Sequence, residues 1–77
     1  MKNLHVLYTN VDTLTEVKKS LIEALIEKCP PDIICLSEVA PKHSLYPLVE
    51  ENLILKGYNL FHEGFKNRGV CIYVQTR

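Results

Sequence analysis

The sequence predicts an α/β fold, a βαβ unit followed by a β-hairpin, and three observations carry that expectation. The first is the run Asp32-Ile33-Ile34-Cys35-Leu36-Ser37-Glu38, four apolar residues between a Pro-Pro breaker and a carboxylate. That is the pattern of a short strand buried on both faces. The second is a helical period over residues 14–29, stopped by Pro30 and Pro31. The third is a pair of β-prone runs, 58–62 and 70–74, separated by turn chemistry at residues 64–69.

Taken in order, residues 4–9 are mostly apolar, carry Val6 and Tyr8, and read as a first strand. The polar residues at 9, 10, 12 and 13 mark a strand-to-helix turn, and Thr13 with Glu16 has the spacing of a capping box. Apolar residues at 14, 17, 21, 24, 25 and 29 then define one helix face, with Lys18, Lys19, Glu23, Glu27 and Lys28 around it. Strand, helix and strand in about thirty-seven residues predict that the first two strands run parallel. Residues 39–56 carry two prolines and read as loop, with a short helical turn over 48–53. The third and fourth strands are expected to pair as a hairpin.

With 77 residues the chain is at most one domain, in the size range where a single core is marginal. Its 47% hydrophobic and 23% charged residues mark it as globular and exclude disorder. Nine basic and nine acidic residues cancel, so no global field favours nucleic acid or an anionic membrane. Any nucleic-acid contact has to come from a local patch. Cys29, Cys35 and Cys71 show neither a CxxC nor metal-ligand spacing, and an odd count without a leader suggests reduced, buried thiols. With no apolar stretch of membrane-spanning length, the expected location is intracellular, cytoplasmic or nuclear.

Glu38 ends the central strand, a rigid position near the sheet rim where α/β enzymes hold metals and catalytic groups. A strand-end glutamate facing solvent also accounts for that segment by itself. The first, second and fourth strands are apolar on both faces, yet one helix can shield only one face of a sheet. Either the rest of a domain or another chain is expected to supply the second layer.

Asn10-Val11-Asp12 after strand one, Ser37-Glu38 after strand two and Arg68-Gly69-Val70 entering a later strand resemble the N-terminal part of the endonuclease/exonuclease/phosphatase superfamily. The runs Gly57-Tyr58-Asn59-Leu60-Phe61 and Arg68-Gly69-Val70-Cys71-Ile72-Tyr73-Val74 look most like the apurinic-type endonuclease domain of non-LTR retrotransposons. Each motif is short; their order and the spacing of 28 residues from Asn10 to Glu38 make the likeness specific. It implies a four-layered αββα sandwich, of which residues 1–77 would be a single partial domain, and Mg²⁺-dependent cleavage of phosphoesters, with Mn²⁺ as a substitute. By the same resemblance, Glu38 would be a direct metal ligand and Asp12 would help to hold the ion. Asn10 would orient a catalytic carboxylate or contact the scissile phosphate, and the parent domain's partner would be DNA.

The family's later motifs, which carry further catalytic Asp, Asn and His residues, have no counterpart here, so the isolated chain is expected to be inactive. His5, His43 and His62 read as core, rim or surface residues. Lys66, Asn67 and Arg68 read as a polar turn that could touch a phosphate backbone, and Tyr46, Tyr58 and Tyr73 as packing residues. The expected function is therefore the N-terminal fragment of a Mg²⁺-dependent phosphodiesterase, of the retroelement endonuclease type. The alternatives are a non-catalytic remnant and a small α/β interaction module, stable as an oligomer or on a partner.

Overall fold

A computed structural model describes residues 3–41, 50–63 and 68–76. They form a small α/β domain whose four strands, β1 (Val6–Asn10), β2 (Ile33–Ser37), β3 (Tyr58–Glu63) and β4 (Val70–Gln75), make one mixed sheet in the order β1-β2-β4-β3. β1 and β2 pair in parallel, joined by helix α1 (Glu16–Lys28), and β4 pairs antiparallel with both β2 and β3. The parallel pair and the antiparallel pair are those expected. The sheet order follows from β4 pairing with the inner side of β2, which leaves β1 and β3 at the edges.

The expected helix cap is corrected. Thr15, not Thr13, is the N-cap, and its hydroxyl accepts from the Lys18 amide at 3.2 Å. Thr13 cannot cap because its backbone lies in the left-handed region at φ 76° and its amide donates to the Glu38 carbonyl at 2.8 Å. The expected helix face is also corrected. Ile22 and Ile26 are the helix's buried residues, whereas Val17, Leu21 and Leu25 are exposed. The helix carries two apolar stripes at four-residue spacing, and the sheet covers only the stripe of Ile22 and Ile26.

The covered face of the sheet presents Ile34, Leu36, Cys71 and Tyr73, each 0% exposed, to α1 and to a 3₁₀ turn at Glu50–Leu53. That turn falls within the expected 48–53; residues 42–49, His43 and Tyr46 among them, lie outside the described residues, as do Lys66 and Asn67. The Tyr73 hydroxyl donates to the Leu53 carbonyl at 2.7 Å, and the Tyr58 hydroxyl donates to the Pro31 carbonyl at 2.7 Å. Both tyrosines are therefore packing residues, as expected. Burial, with the neighbouring Cys71 adding to it, pushes the Tyr73 phenol well above its ordinary value.

On the other face, side chains alternate outward. Tyr8, Cys35, Ile72 and Phe61 form a row across all four strands. Val6, Val70 and Val74 flank it, and Tyr8 and Phe61 remain 64% and 59% exposed. The central strand is thus buried on one face only, which corrects the expectation of burial on both. Of the three cysteines, Cys71 is buried, Cys35 is half-buried and Cys29 is exposed at the end of α1, so the expectation of buried thiols holds for Cys71 alone. Among the described residues no helix is long and apolar enough to cross a membrane.

Candidate functional site

Parallel pairing sets the ends of β1 and β2 side by side, with Asn10 opposite Ser37. The chain leaving β1 stays attached to the chain leaving β2: the amides of Val11, Thr13 and Leu14 donate to the carbonyls of Ser37, Glu38 and Val39 at 3.0, 2.8 and 2.9 Å. On the other side, the amide of Ala40 donates to the Arg68 carbonyl at 2.7 Å, continuing the pairing of β2 with β4. Three segments remote in sequence therefore meet at one end of the sheet.

Their side chains form a connected cluster. Asn10 Nδ2 donates to Glu38 Oε2 at 2.6 Å, while Asn10 Oδ1 accepts from the Asp12 amide at 3.0 Å. The Arg68 guanidinium donates through one terminal nitrogen to Glu38 Oε1 and through the other to Asp12 Oδ1 at 2.6 Å. The second nitrogen also donates to Thr13 Oγ1 at 3.2 Å, and Arg68 Nε donates to the Ala40 carbonyl at 3.0 Å. Lys18 Nζ ties the neighbouring loop by donating to the carbonyls of Val11 and Asp12 at 2.7 and 2.8 Å. The Arg68 side chain is 16% exposed, against 40% for Glu38 and 72% for Asp12. The guanidinium is thus the sheltered centre and the carboxylates form its rim.

The backbone carries strain at the same place. Among the described residues, the non-glycine residues with positive φ are Asp12 (42°), Thr13 (76°), Glu38 (53°) and Arg68 (73°), all members of this cluster. Each such conformation costs on the order of 1–2 kcal/mol, most for a β-branched residue such as Thr13. Strain of this kind persists where surrounding contacts over-determine it and concentrates at functional sites.

Asn10, Asp12 and Glu38, the residues singled out from the sequence, are therefore brought together. His5 and His62 are not. His5 precedes β1, its amide donating to Asp32, and His62 lies in β3 near Glu50. Arg68 holds the cluster together, where the sequence suggested a surface turn. Its signal was the run Arg68-Gly69-Val70, with Arg68 two residues ahead of β4, but that becomes informative only once β4 is known to pair with β2, setting Val70 opposite Ser37.

Two carboxylates converging on one positive group offer hard oxygen donors of the type Mg²⁺ takes, one or two from protein with water and phosphate completing the shell. Glu38 and Asp12 fit such an ion in donor type, although the guanidinium holds one oxygen of each through different nitrogens. Among the described residues, no group of three or more His, Cys, Asp or Glu side chains forms a larger ligand set. A groove of about 390 Å³ runs beside the cluster, lined by Asn10, Asp12, Lys18 and Leu21 among others. A larger hollow of about 470 Å³ lies at the opposite end of the sheet, lined by Glu23, Glu27, Lys56 and Tyr58 among others. In comparison with known proteins, no family model, curated protein or solved structure matches this chain.

Proposed function

We infer that this chain carries one part of the site of a Mg²⁺-dependent phosphodiesterase, of the kind found in retroelement DNA endonucleases. The observation that carries this reading is the convergence of Asn10, Asp12, Glu38 and Arg68 on strained backbone at the ends of β1 and β2. The resemblance of those same residues to the endonuclease/exonuclease/phosphatase pattern supplies the chemistry. Glu38 and Asp12 would hold the ion, with Mn²⁺ as a substitute. When bound, such an ion neutralises charge on a phosphate and on its leaving oxygen.

The chain's own groups prepare that chemistry. Asn10 fixes the Glu38 carboxylate through one oxygen, so its orientation does not depend on solvent. Arg68, once released from a carboxylate, is suited to bind a phosphate oxygen, because a planar guanidinium matches phosphate geometry in two bonds. The groove beside Asn10 and Asp12 gives a nucleic-acid backbone a path past these groups. In this reading the sheet is one half of a four-layered αββα sandwich, with its open face turned to the second sheet.

A second reading, a remnant or interaction module without turnover, is favoured by the closed ion-pair network, which makes Arg68 a structural clamp. The two readings separate in a fusion of this chain to the C-terminal portion of a non-LTR retrotransposon endonuclease domain. For a fusion that unfolds cooperatively, the phosphodiesterase reading predicts Mg²⁺-dependent nicking of supercoiled DNA that Glu38→Gln abolishes and Asn10→Ala lowers about 100-fold or more. A folded fusion that does not nick, or whose nicking ignores Glu38→Gln, contradicts it.

A further inference from the structure

We propose that the open face of the sheet is the contact surface of a homodimer, in which a second copy of the chain packs sheet against sheet. This concerns the face that the phosphodiesterase reading turns to a second sheet: in the 77-residue chain, a second copy takes that sheet's place. The middle row of the face, Tyr8, Cys35, Ile72 and Phe61, is apolar from one edge strand to the other, and much of Tyr8, Ile72 and Phe61 is exposed. Contiguous apolar surface of this kind marks a contact site.

Three features select a second copy as the occupant. The first is charge. Along the strand register, among the described residues, Glu63 is the charged residue on this face, at the corner of the row that Asn10 begins. A two-fold axis lying between the sheets, whether along or across the strands, sets Glu63 over the partner's Asn10 or the partner's Asn59. No carboxylate then meets another, and the apolar middle row falls on itself. Among the described residues of this face, a partner that binds through charge finds only Glu63, at a corner, to pair with. The second is size. Four strands about 4.8 Å apart and five residues rising about 3.3 Å each give a projected face on the order of 300 Å². Adding side-chain relief brings this to about 500–800 Å² per partner, the low end of specific interfaces. The third is layering. α1 covers the far face, so two copies set face to face build helix, sheet, sheet and helix, with both sheets covered on both sides.

The test uses the 77-residue chain. Sedimentation velocity from about 1 to 300 μM is expected to show a mass rising from one copy to two. Cys35 lies in the middle row and Cys71 is buried on the other face, so Cys29→Ser leaves Cys35 as the accessible thiol and Cys71 as a reporter of folding. Alkylation of Cys35 is expected to slow about tenfold or more across that range while Cys71 stays protected. Ile72→Asp, which sets a charge in the middle row, is expected to remain monomeric with a Cys35 rate independent of concentration. If that variant does not fold, the wild-type mass and the Cys29→Ser protection carry the test. A single-copy mass at every concentration overturns the proposal. A dimer whose Cys35 reactivity ignores concentration also overturns it, because the contact then lies elsewhere, for instance on the exposed stripe of Val17, Leu21 and Leu25.

Discussion

Arg68 joins two carboxylates, a threonine hydroxyl and a carbonyl from three segments of chain. Arg68→Gln is expected to lower stability by about 1.5–3 kcal/mol, set by the sheltered bonds to Glu38 and Ala40, because the exposed Asp12 arm contributes little. Chemical denaturation measures this. The same substitution removes a positive charge that holds the oxygens assigned to the metal, so Mn²⁺ affinity is expected to rise about tenfold. A fall in affinity would mean that Arg68 helps to form the site instead of contending for it. Asn10, Asp12 and Glu38 were legible in the sequence because each stands at or just beyond a strand end, where pattern and polarity change together. Arg68 was not, because its place depends on the pairing of β2 with β4, a long-range choice that local pattern does not encode. The left-handed backbone at Thr13 was hidden for a related reason: a Thr three residues before a Glu looks like a cap until the loop's attachment to Glu38 is known.

α1 shows how far periodicity reaches at the scale of an element. Its existence and its stop at Pro30 were readable. Its facing was not, because the stripe of Val17, Leu21 and Leu25 competes with the stripe of Ile22 and Ile26, and only the sheet decides between them. Ile26→Ala is expected to cost about 2–4 kcal/mol, whereas Leu21→Ala should stay within about 0.5 kcal/mol in the monomer, both read from urea midpoints. β4 carries a second consequence. Burial raises the Tyr73 phenol and the Cys71 thiol above their ordinary values of 10.0 and 9.0, so the folded state holds these protons more tightly than the unfolded chain. Their contribution is fully present below those ordinary values and is lost as pH rises above them. The urea midpoint is therefore expected to fall between about pH 9 and 11, and less steeply in Tyr73→Phe, which at neutral pH costs about 1–3 kcal/mol by orphaning the Leu53 carbonyl.

For the molecule as a whole, the number of layers matters most. Strands apolar on both faces told, from the sequence, that one helix could not cover the sheet, and Tyr8, Ile72 and Phe61 stand exposed on the uncovered side. What covers them was not legible, because burial by a second copy and burial by another part of a fold ask the same of each side chain. Glu38 and Asp12 lie beyond the ends of β1 and β2 and are partly exposed, so cation binding can be measured on the 77-residue chain. The most direct measurement is Mn²⁺ binding to the 77-residue chain by electron paramagnetic resonance, comparing wild type with Glu38→Gln. A divalent-cation site built on Glu38 and Asp12 predicts one Mn²⁺ bound with a Kd of about 0.1–1 mM and at least a tenfold weakening in Glu38→Gln. Binding that is absent, or equal in the two proteins, would contradict it.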